Sequence, residues 1–198
     1  MLPQSCQQRA TDGAVDGQTA AVTPDDVLDF WFRRDRKAWF EKNAAFDAEI
    51  RARFLDAHAR ALAGELDGWK EEPRSCLALV ILLDQFPRNM FRGEARAFAA
   101  DALARETARV ILDRGWDRAM STDERSFAYL PFEHSESLDD QRRSCELMRP
   151  LGEEPYRYAV RHREIIERFG RFPHRNAALG RDSTPEEAEF LRQPGSGF

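Results

Sequence analysis

A single apolar run, CLALVILL at residues 76–83, constrains the fold of this chain more than any other stretch. Pro73 and Pro87 bracket it. Its length suits a helix and its β-branched residues are few. The run therefore predicts a helix that is apolar on all sides and central in the core. Pro87 is expected to end that helix. Periodicity alone does not separate a short buried helix from a buried strand, so a strand stays open as the alternative.

Capping signals and helical spacing of apolar residues surround this run. The alanine-rich stretch 93–115 is predicted to form one helix. Together with the other segments these signals indicate about seven to eight helices and an all-α fold. The first of the other predicted helices starts at a capping box of Thr23 and Asp26, and the second covers residues 43–64. A third opens with a capping pattern of Thr122 with Glu124 and Arg125 and reaches a kink or end at Pro131. The last three start at a capping box of Ser137 and Asp140, run from Pro155 to Gly170, and start at a capping box of Thr184 and Glu187.

Residues 23–198 are predicted to form a single all-α domain, preceded by a disordered tail, residues 1–22, which is rich in small and polar residues without periodicity. The tail lacks the charge and apolar pattern of a signal peptide, and the three cysteines form no disulfide framework, so a cytoplasmic protein is expected. A net charge of −5 argues against a nucleic-acid partner. No stretch approaches the roughly 20 apolar residues of a membrane span, so no membrane partner is expected.

Two stretches share an unusual pattern, DQFPRNMFRG at residues 84–93 and RFPHRNAALGR at residues 171–181. Both present Phe-Pro, then Arg-Asn, then glycine beside arginine. Because a guanidinium group binds carboxylate or phosphate in a bidentate way, the two stretches predict a binding site for an anionic group. The alternative is an ionic network without a ligand, in which Asp84 pairs with Arg88 or Arg175 and the two asparagines cap the following helices. The candidate ligand-binding residues are Asp84, Arg88, Asn89, Arg92, Arg171, His174, Arg175, Asn176 and Arg181.

A third stretch, PFEHSE at residues 131–136, supplies Glu133 and His134 as candidate catalytic residues, because a carboxylate beside an imidazole can transfer protons near neutral pH. Glu133 and Glu136 are expected on one helical face. The alternative is that His134 is a buried, hydrogen-bonded packing residue and that the glutamates pair with nearby arginines. His58 is expected at the surface or at the edge of its helix.

No metal site and no cofactor are predicted, because none of the four histidines occurs in a His-Glu-x-x-His motif or follows glutamate by three residues. Glu133 and the histidines His134, His162 and His174 could still meet in the folded chain. Sequence spacing does not decide whether they do.

The stretches LLDQFPRN, RSFAYLPFEHSE and RFGRFPHRNAALGR, followed by STPEE and FL, occur in this order, and through them the chain resembles a widespread bacterial family known as domain of unknown function DUF924. The resemblance extends from about Val27 to Leu191. It implies an all-α fold similar to tetratricopeptide-repeat-like helical arrays. It implies no activity, substrate, cofactor or catalytic residue.

Three hypotheses follow for the function. The polar stretches form a pocket for an anionic small molecule, with or without a reaction. Alternatively, they belong to a helical interaction module that binds an acidic peptide. In the third, purely structural reading, they attach the C-terminal helices to the central apolar helix.

Overall fold

The computed structural model describes residues 21–39 and 41–197. Within these residues the chain forms eight α-helices and no strand, which confirms the predicted all-α array. The predicted disordered tail, residues 1–22, lies outside the described residues apart from its last two positions. The helices are α1 (Pro24–Phe32), α2 (Ala44–Leu62), α3 (Pro73–Met90), α4 (Asp101–Asp113), α5 (Thr122–Glu133), α6 (Leu138–Met148), α7 (Glu153–Phe169) and α8 (Pro185–Leu191).

Helix α3 occupies the centre of the molecule. It contacts α1, α2, α4 and α5, and every residue from Cys76 to Pro87 is buried. Apolar side chains on all sides of the helix can be covered only when neighbouring helices surround it. The predicted central helix is therefore confirmed, and the alternative of a strand is excluded.

The predicted end of this helix at Pro87 is wrong, because α3 continues to Met90. Proline cannot donate a backbone hydrogen bond inside a helix, which normally favours termination. Here the buried side chains of Phe86, Met90 and Phe91 hold the last turn against the core. The guanidinium group of Arg88 also donates to the carbonyl oxygen of Asp84 at 2.7 Å, within the same turn.

The alanine-rich stretch 93–115 is not one helix as predicted. Gly93 has a φ of +83°, Ala95–Phe98 forms a 3-10 turn, and α4 begins only at Asp101. The turn directs the ring of Phe98 toward the guanidinium groups of Arg88 and Arg175. Tertiary contacts thus override the local preference of alanine for a helix.

The capping boxes of Thr23 with Asp26 and of Thr184 with Glu187 are confirmed. Helix α7 ends at Gly170, as predicted, and this glycine adopts the left-handed conformation. Other predicted termini differ. Helix α5 is capped by Ser121 instead of Thr122, and it extends two residues beyond Pro131. Ser137 makes no side-chain cap for α6, because Asp140 accepts a hydrogen bond from Ser135 instead. Helix α7 begins at Glu153, ahead of Pro155.

The predicted surface position of His58 is wrong, because this histidine is buried in the face of α2 that packs on α3. Its Nδ1 lies 3.0 Å from the carbonyl oxygen of Leu82. Burial lowers the pKa of His58, so its ring is neutral near pH 7.

Four polar segments meet beside the C-terminal half of α3. These are the end of α3 itself, the start of α4, the end of α5, and the 3-10 turn Pro173–Arg175 that follows α7. A small buried apolar cluster of Ile165, Ile166 and Phe172 lies next to that turn. The fold therefore brings parts of all three chemically unusual stretches to one place.

Candidate functional site

Asp84 is a fully buried charged group at the point where the four polar segments meet, with 0% of its side chain exposed. Its Oδ1 lies 2.8 Å from Nδ1 of His134 and 3.2 Å from Nη1 of Arg88, and its Oδ2 accepts a hydrogen bond from the amide of Gln85. Burial alone would raise the pKa of Asp84. Arg88 and His134 outweigh that effect and lower the pKa to about 2, so the carboxylate is ionised at neutral pH.

His134 follows the last residue of α5, and its backbone N–H still bonds to that helix. Asp84 binds its Nδ1, and no described residue forms a hydrogen bond with its Nε2. The side chain is 14% exposed. Burial and Arg88 lower the pKa of His134 more than Asp84 raises it, so the ring is neutral at pH 7 and able to accept a proton.

Arg88 and Arg175 approach each other through Asp101, the first residue of α4. Asp101 lies 3.0 Å from Nη2 of Arg88 and 3.1 Å from Nη1 of Arg175. Arg175 also donates to the carbonyl oxygen of His134 at 2.9 Å. Its Cζ lies 4.6 Å and 4.5 Å from the ring centroids of Phe98 and Phe172. Burial and Arg88 lower the pKa of Arg175 to about 10, which leaves it charged at neutral pH.

Glu133 does not pair with its neighbour His134. It points instead between α6 and α7, where its Oε1 lies 3.1 Å from Nδ1 of His162 and its Oε2 lies 3.5 Å from the hydroxyl of Ser144. Burial raises the pKa of Glu133 to about 8 and lowers that of His162 to about 3. Near pH 7 the two groups therefore form a neutral pair rather than an ion pair.

The histidines of the C-terminal half do converge. The ring centroids of His134 and His162 are 6.3 Å apart, and the ring of Phe172 lies between His162 and His174. Burial and Arg175 lower the pKa of His174 to about 3. Among residues 21–39 and 41–197, no group of three or more histidine, cysteine or acidic side chains is arranged to hold a metal ion.

The expectation that Glu133 and Glu136 share a helical face is wrong, because α5 ends at Glu133. Glu136 lies in the following bend. It accepts two hydrogen bonds from Arg181, at 2.8 and 3.0 Å, and one from the backbone N–H of Phe172. This contact connects the end of α5 to the segment after α7.

Arg171 and Asn176 lie together at the start of α8. Both donate to the carboxylate of Glu187. The expectation that Asn176 caps a helix is wrong, because Thr184 caps α8, and the amide of Asn176 donates to the Glu187 carboxylate and to the hydroxyl of Ser183.

Asn89 and Arg92 are not beside His134. Both donate to Asp47 of α2, and Asn89 therefore caps no helix. Successive helical residues point about 100° apart, so Arg88 and Asn89 of α3 face different neighbours. Of the nine candidate ligand-binding residues, only Asp84, Arg88 and Arg175 belong to the network that contacts His134.

The residues that the sequence patterns did not indicate are the carboxylates that neutralise the arginines, notably Asp101 and Asp47. Asp101 lies in an alanine-rich stretch, where an acidic residue is typical of a solvated helix face. The available signal is chemical: a buried guanidinium group requires an anionic partner. That requirement does not identify which of the 35 acidic residues supplies it.

Comparison with known proteins places these features in a family. A family model described as "Bacterial protein of unknown function (DUF924)" matches residues 27–195. A solved structure of a protein of unknown function from Agrobacterium tumefaciens is 52% identical, with a TM-score of 0.82, and the match covers 85% of this chain and 96% of that one. No curated protein matches. In the described part of the chain, no helix is long and apolar enough to cross a membrane.

Proposed function

The chain belongs to the DUF924 family of bacterial proteins of unknown function, and we propose that its site transfers a proton to or from a small anionic molecule. In this proposal His134 is the base, Asp84 orients it, and Arg88 and Arg175 attract the anionic group. Glu133 is too deeply buried to meet a substrate, so its proposed role is limited to the pair with His162.

The contact between Asp84 and His134 is the observation that carries this proposal. A buried carboxylate that binds Nδ1 fixes the tautomer with hydrogen on that atom, so that Nε2 has a lone pair available to a ligand. A histidine that served only packing would need no ionised partner with 0% exposure, since burial of a charge is costly.

The structural reading has support as well, because each of the five arginines among the candidate residues contacts a carboxylate. Such pairs hold helices together without any ligand. The proton-transfer proposal and the structural reading differ in the role of Nε2 of His134. This atom makes no contact within the network, so it has a function only in the proton-transfer proposal, where a substrate reaches it.

The test measures binding and turnover separately. A panel of small carboxylic acids and phosphate esters is screened for binding by ligand-observed NMR, and the compounds that bind are followed in D2O, which reveals both hydrolysis and exchange of C–H protons. His134→Gln should bind these compounds but turn them over roughly 10² to 10⁴ times more slowly.

His58→Gln is the matched control, since it replaces another buried imidazole whose partner is a backbone carbonyl. It should leave turnover unchanged in a sample that remains folded. Turnover by His134→Gln at the rate of the unsubstituted protein would contradict the proposal, and so would an absence of turnover for every compound that binds.

A second candidate function is binding of an acidic peptide, and it rests on a groove between α7 and the C-terminal segment. The groove is a cavity of about 270 Å³ whose lining includes Ile165, Phe169 and Phe190, with Arg161 and Arg168 beside these apolar side chains. An apolar anchor next to a carboxylate would fit this lining. Fluorescence polarisation with acidic, aromatic-containing peptides tests it, and Arg168→Ala should weaken their binding.

A further inference from the structure

Asp101 binds the two arginines of the site in the way that a ligand oxyanion would. Its Oδ1 lies 3.0 Å from Nη2 of Arg88, and its Oδ2 lies 3.2 Å from the same nitrogen and 3.1 Å from Nη1 of Arg175. Two guanidinium groups that converge on one pair of oxygens form the usual protein site for carboxylate or phosphate.

The two carboxylates of the network differ in how firmly they are held. Asp84 is fully buried and also binds His134 and Gln85. Asp101 is 12% exposed, and within the described residues its side chain contacts only the two arginines. Asp101 therefore lies closer to the solvent than Asp84, although its Oδ1 is itself buried.

When a ligand displaces the carboxylate of Asp101 from the two arginines, that negative charge stays beside the N-terminus of α4. Asp101 is the first residue of α4, and no side chain caps that end of the helix. The partial positive charge of a helix N-terminus stabilises a carboxylate that rotates away from the arginines. Arg88 adds a further donor, because its Nε forms no hydrogen bond with any described residue and its side chain is 19% exposed.

We propose that Arg88 and Arg175 form a binding site for a carboxylate or phosphate group, and that Asp101 is an internal competitor for that site. The inference rests on the proposed function for the place of this anion beside His134, but it concerns binding alone. Its consequence is that removal of the charge of Asp101 strengthens anion binding at these two arginines.

Isothermal titration calorimetry with inorganic phosphate, and separately with acetate, tests this consequence. Asp101→Asn keeps the shape of the side chain and removes its charge, so it should bind at least one of the two anions about tenfold or more tightly than the unsubstituted protein. The preferred anion distinguishes a phosphate site from a carboxylate site. The gain should disappear when Arg175→Lys is added, because lysine lacks the planar fork.

Asp47→Asn is the matched control. Asp47 also contacts an arginine and an amide, but its substitution releases Arg92 and Asn89, which are not beside His134. An equal gain in Asp47→Asn and Asp101→Asn would overturn the proposal, because it would reflect net charge alone. Unchanged affinity in Asp101→Asn would overturn it too.

A second measurement applies if Asp101→Asn does not fold. The arginine Nε–Hε signals of the unsubstituted protein are followed by NMR during a phosphate titration and assigned with Arg88→Lys and Arg175→Lys. Shifts of these two signals support the proposal, and no shift overturns it. His134→Gln should retain phosphate binding, so that a failure of the proton-transfer function is distinguishable from a failure of the anion site.

Discussion

At the residue scale, Arg175 shows how a buried charge can stabilise the fold as well as serve a site. Only 7% of its side chain is exposed, and it binds Asp101 and the backbone of His134 between two aromatic rings. Arg175→Ala removes these contacts and leaves Asp101 with Arg88 alone. We expect the free energy of unfolding, measured with urea, to fall by roughly 3–5 kcal/mol, the usual cost of breaking a buried ion pair.

Arg114→Ala is the comparison for this prediction. Arg114 contacts Glu71 at 3.5 Å, but 44% of its side chain is exposed. Pairs of this kind contribute at most about 1 kcal/mol, because water and salt screen them. If Arg175→Ala were as mild as Arg114→Ala, the network would contribute little stability and the structural reading would lose its support.

The residue scale also shows what the sequence could indicate about the site. The residue types and sequence neighbours of Arg88, His134 and Arg175 are enough to mark them as unusual, since arginine next to phenylalanine and helix breakers suits neither a core nor a solvated loop. One partner was predictable as well, because Asp84 precedes Arg88 by four residues, and the predicted pair of these two residues is confirmed. Arg175 binds Asp101 instead of Asp84. Asp101 and His134 are distant in sequence from the residues they contact, and only tertiary packing brings them together.

At the element scale, the stability of helix α8 depends on one side chain, that of Glu187. The helix has seven residues, too few to be stable alone in water. Glu187 is buried and accepts hydrogen bonds from Arg171 at 2.6 and 2.8 Å and from the backbone N–H of Thr184 at 2.8 Å. In Glu187→Ala, hydrogen exchange measured by mass spectrometry should show that the amides of α8 lose protection while those of α3 keep it.

Glu186→Ala provides the control, because Glu186 is the preceding residue, is 63% exposed and, among the described residues, pairs only with Arg168. It should leave the exchange of α8 close to that of the unsubstituted protein. Equal loss of protection in both variants would show that general helix propensity, and not the contact of Glu187, holds α8 in place.

The elements also separate local signals from tertiary ones. The capping boxes of α1 and α8 were predictable, because every atom involved lies within four residues of sequence. The end of α3 and the start of α4 were not. Long-range contacts decide both: the core packs the turn after Pro87, and two arginines bind the ring of Phe98. A prediction from sequence pattern has no access to these contacts.

At the scale of the whole molecule, buried titratable groups determine how stability varies with pH. His162 and His174 have a pKa of about 3 in the folded state, against an ordinary value of 6.5. The unfolded chain therefore binds more protons below pH 6.5, and stability is lost as the pH falls through this window. Glu133 acts in the opposite direction, because its folded pKa of about 8 exceeds its ordinary 4.5. The contribution of Glu133 to the free energy of unfolding is lost as the pH rises from about 4.5 to 8.

These opposite effects predict a maximum of stability between about pH 6.5 and 7, because the lowered pKa values of His58 and His134 act in the same direction as those of His162 and His174. Between pH 4.5 and 6.5 the histidines outweigh one glutamate. Above the maximum Glu133 dominates, so the free energy of unfolding should fall by up to about 1.4 kcal/mol per pH unit as far as pH 8. Glu133→Gln, followed by urea unfolding at a series of pH values, should remove this decline because the amide does not ionise. Glu136→Gln should retain the decline, since Arg181 and the N–H of Phe172 overcome burial and hold the pKa of Glu136 below its usual value. A decline that persists in Glu133→Gln would mean that another buried group releases the proton.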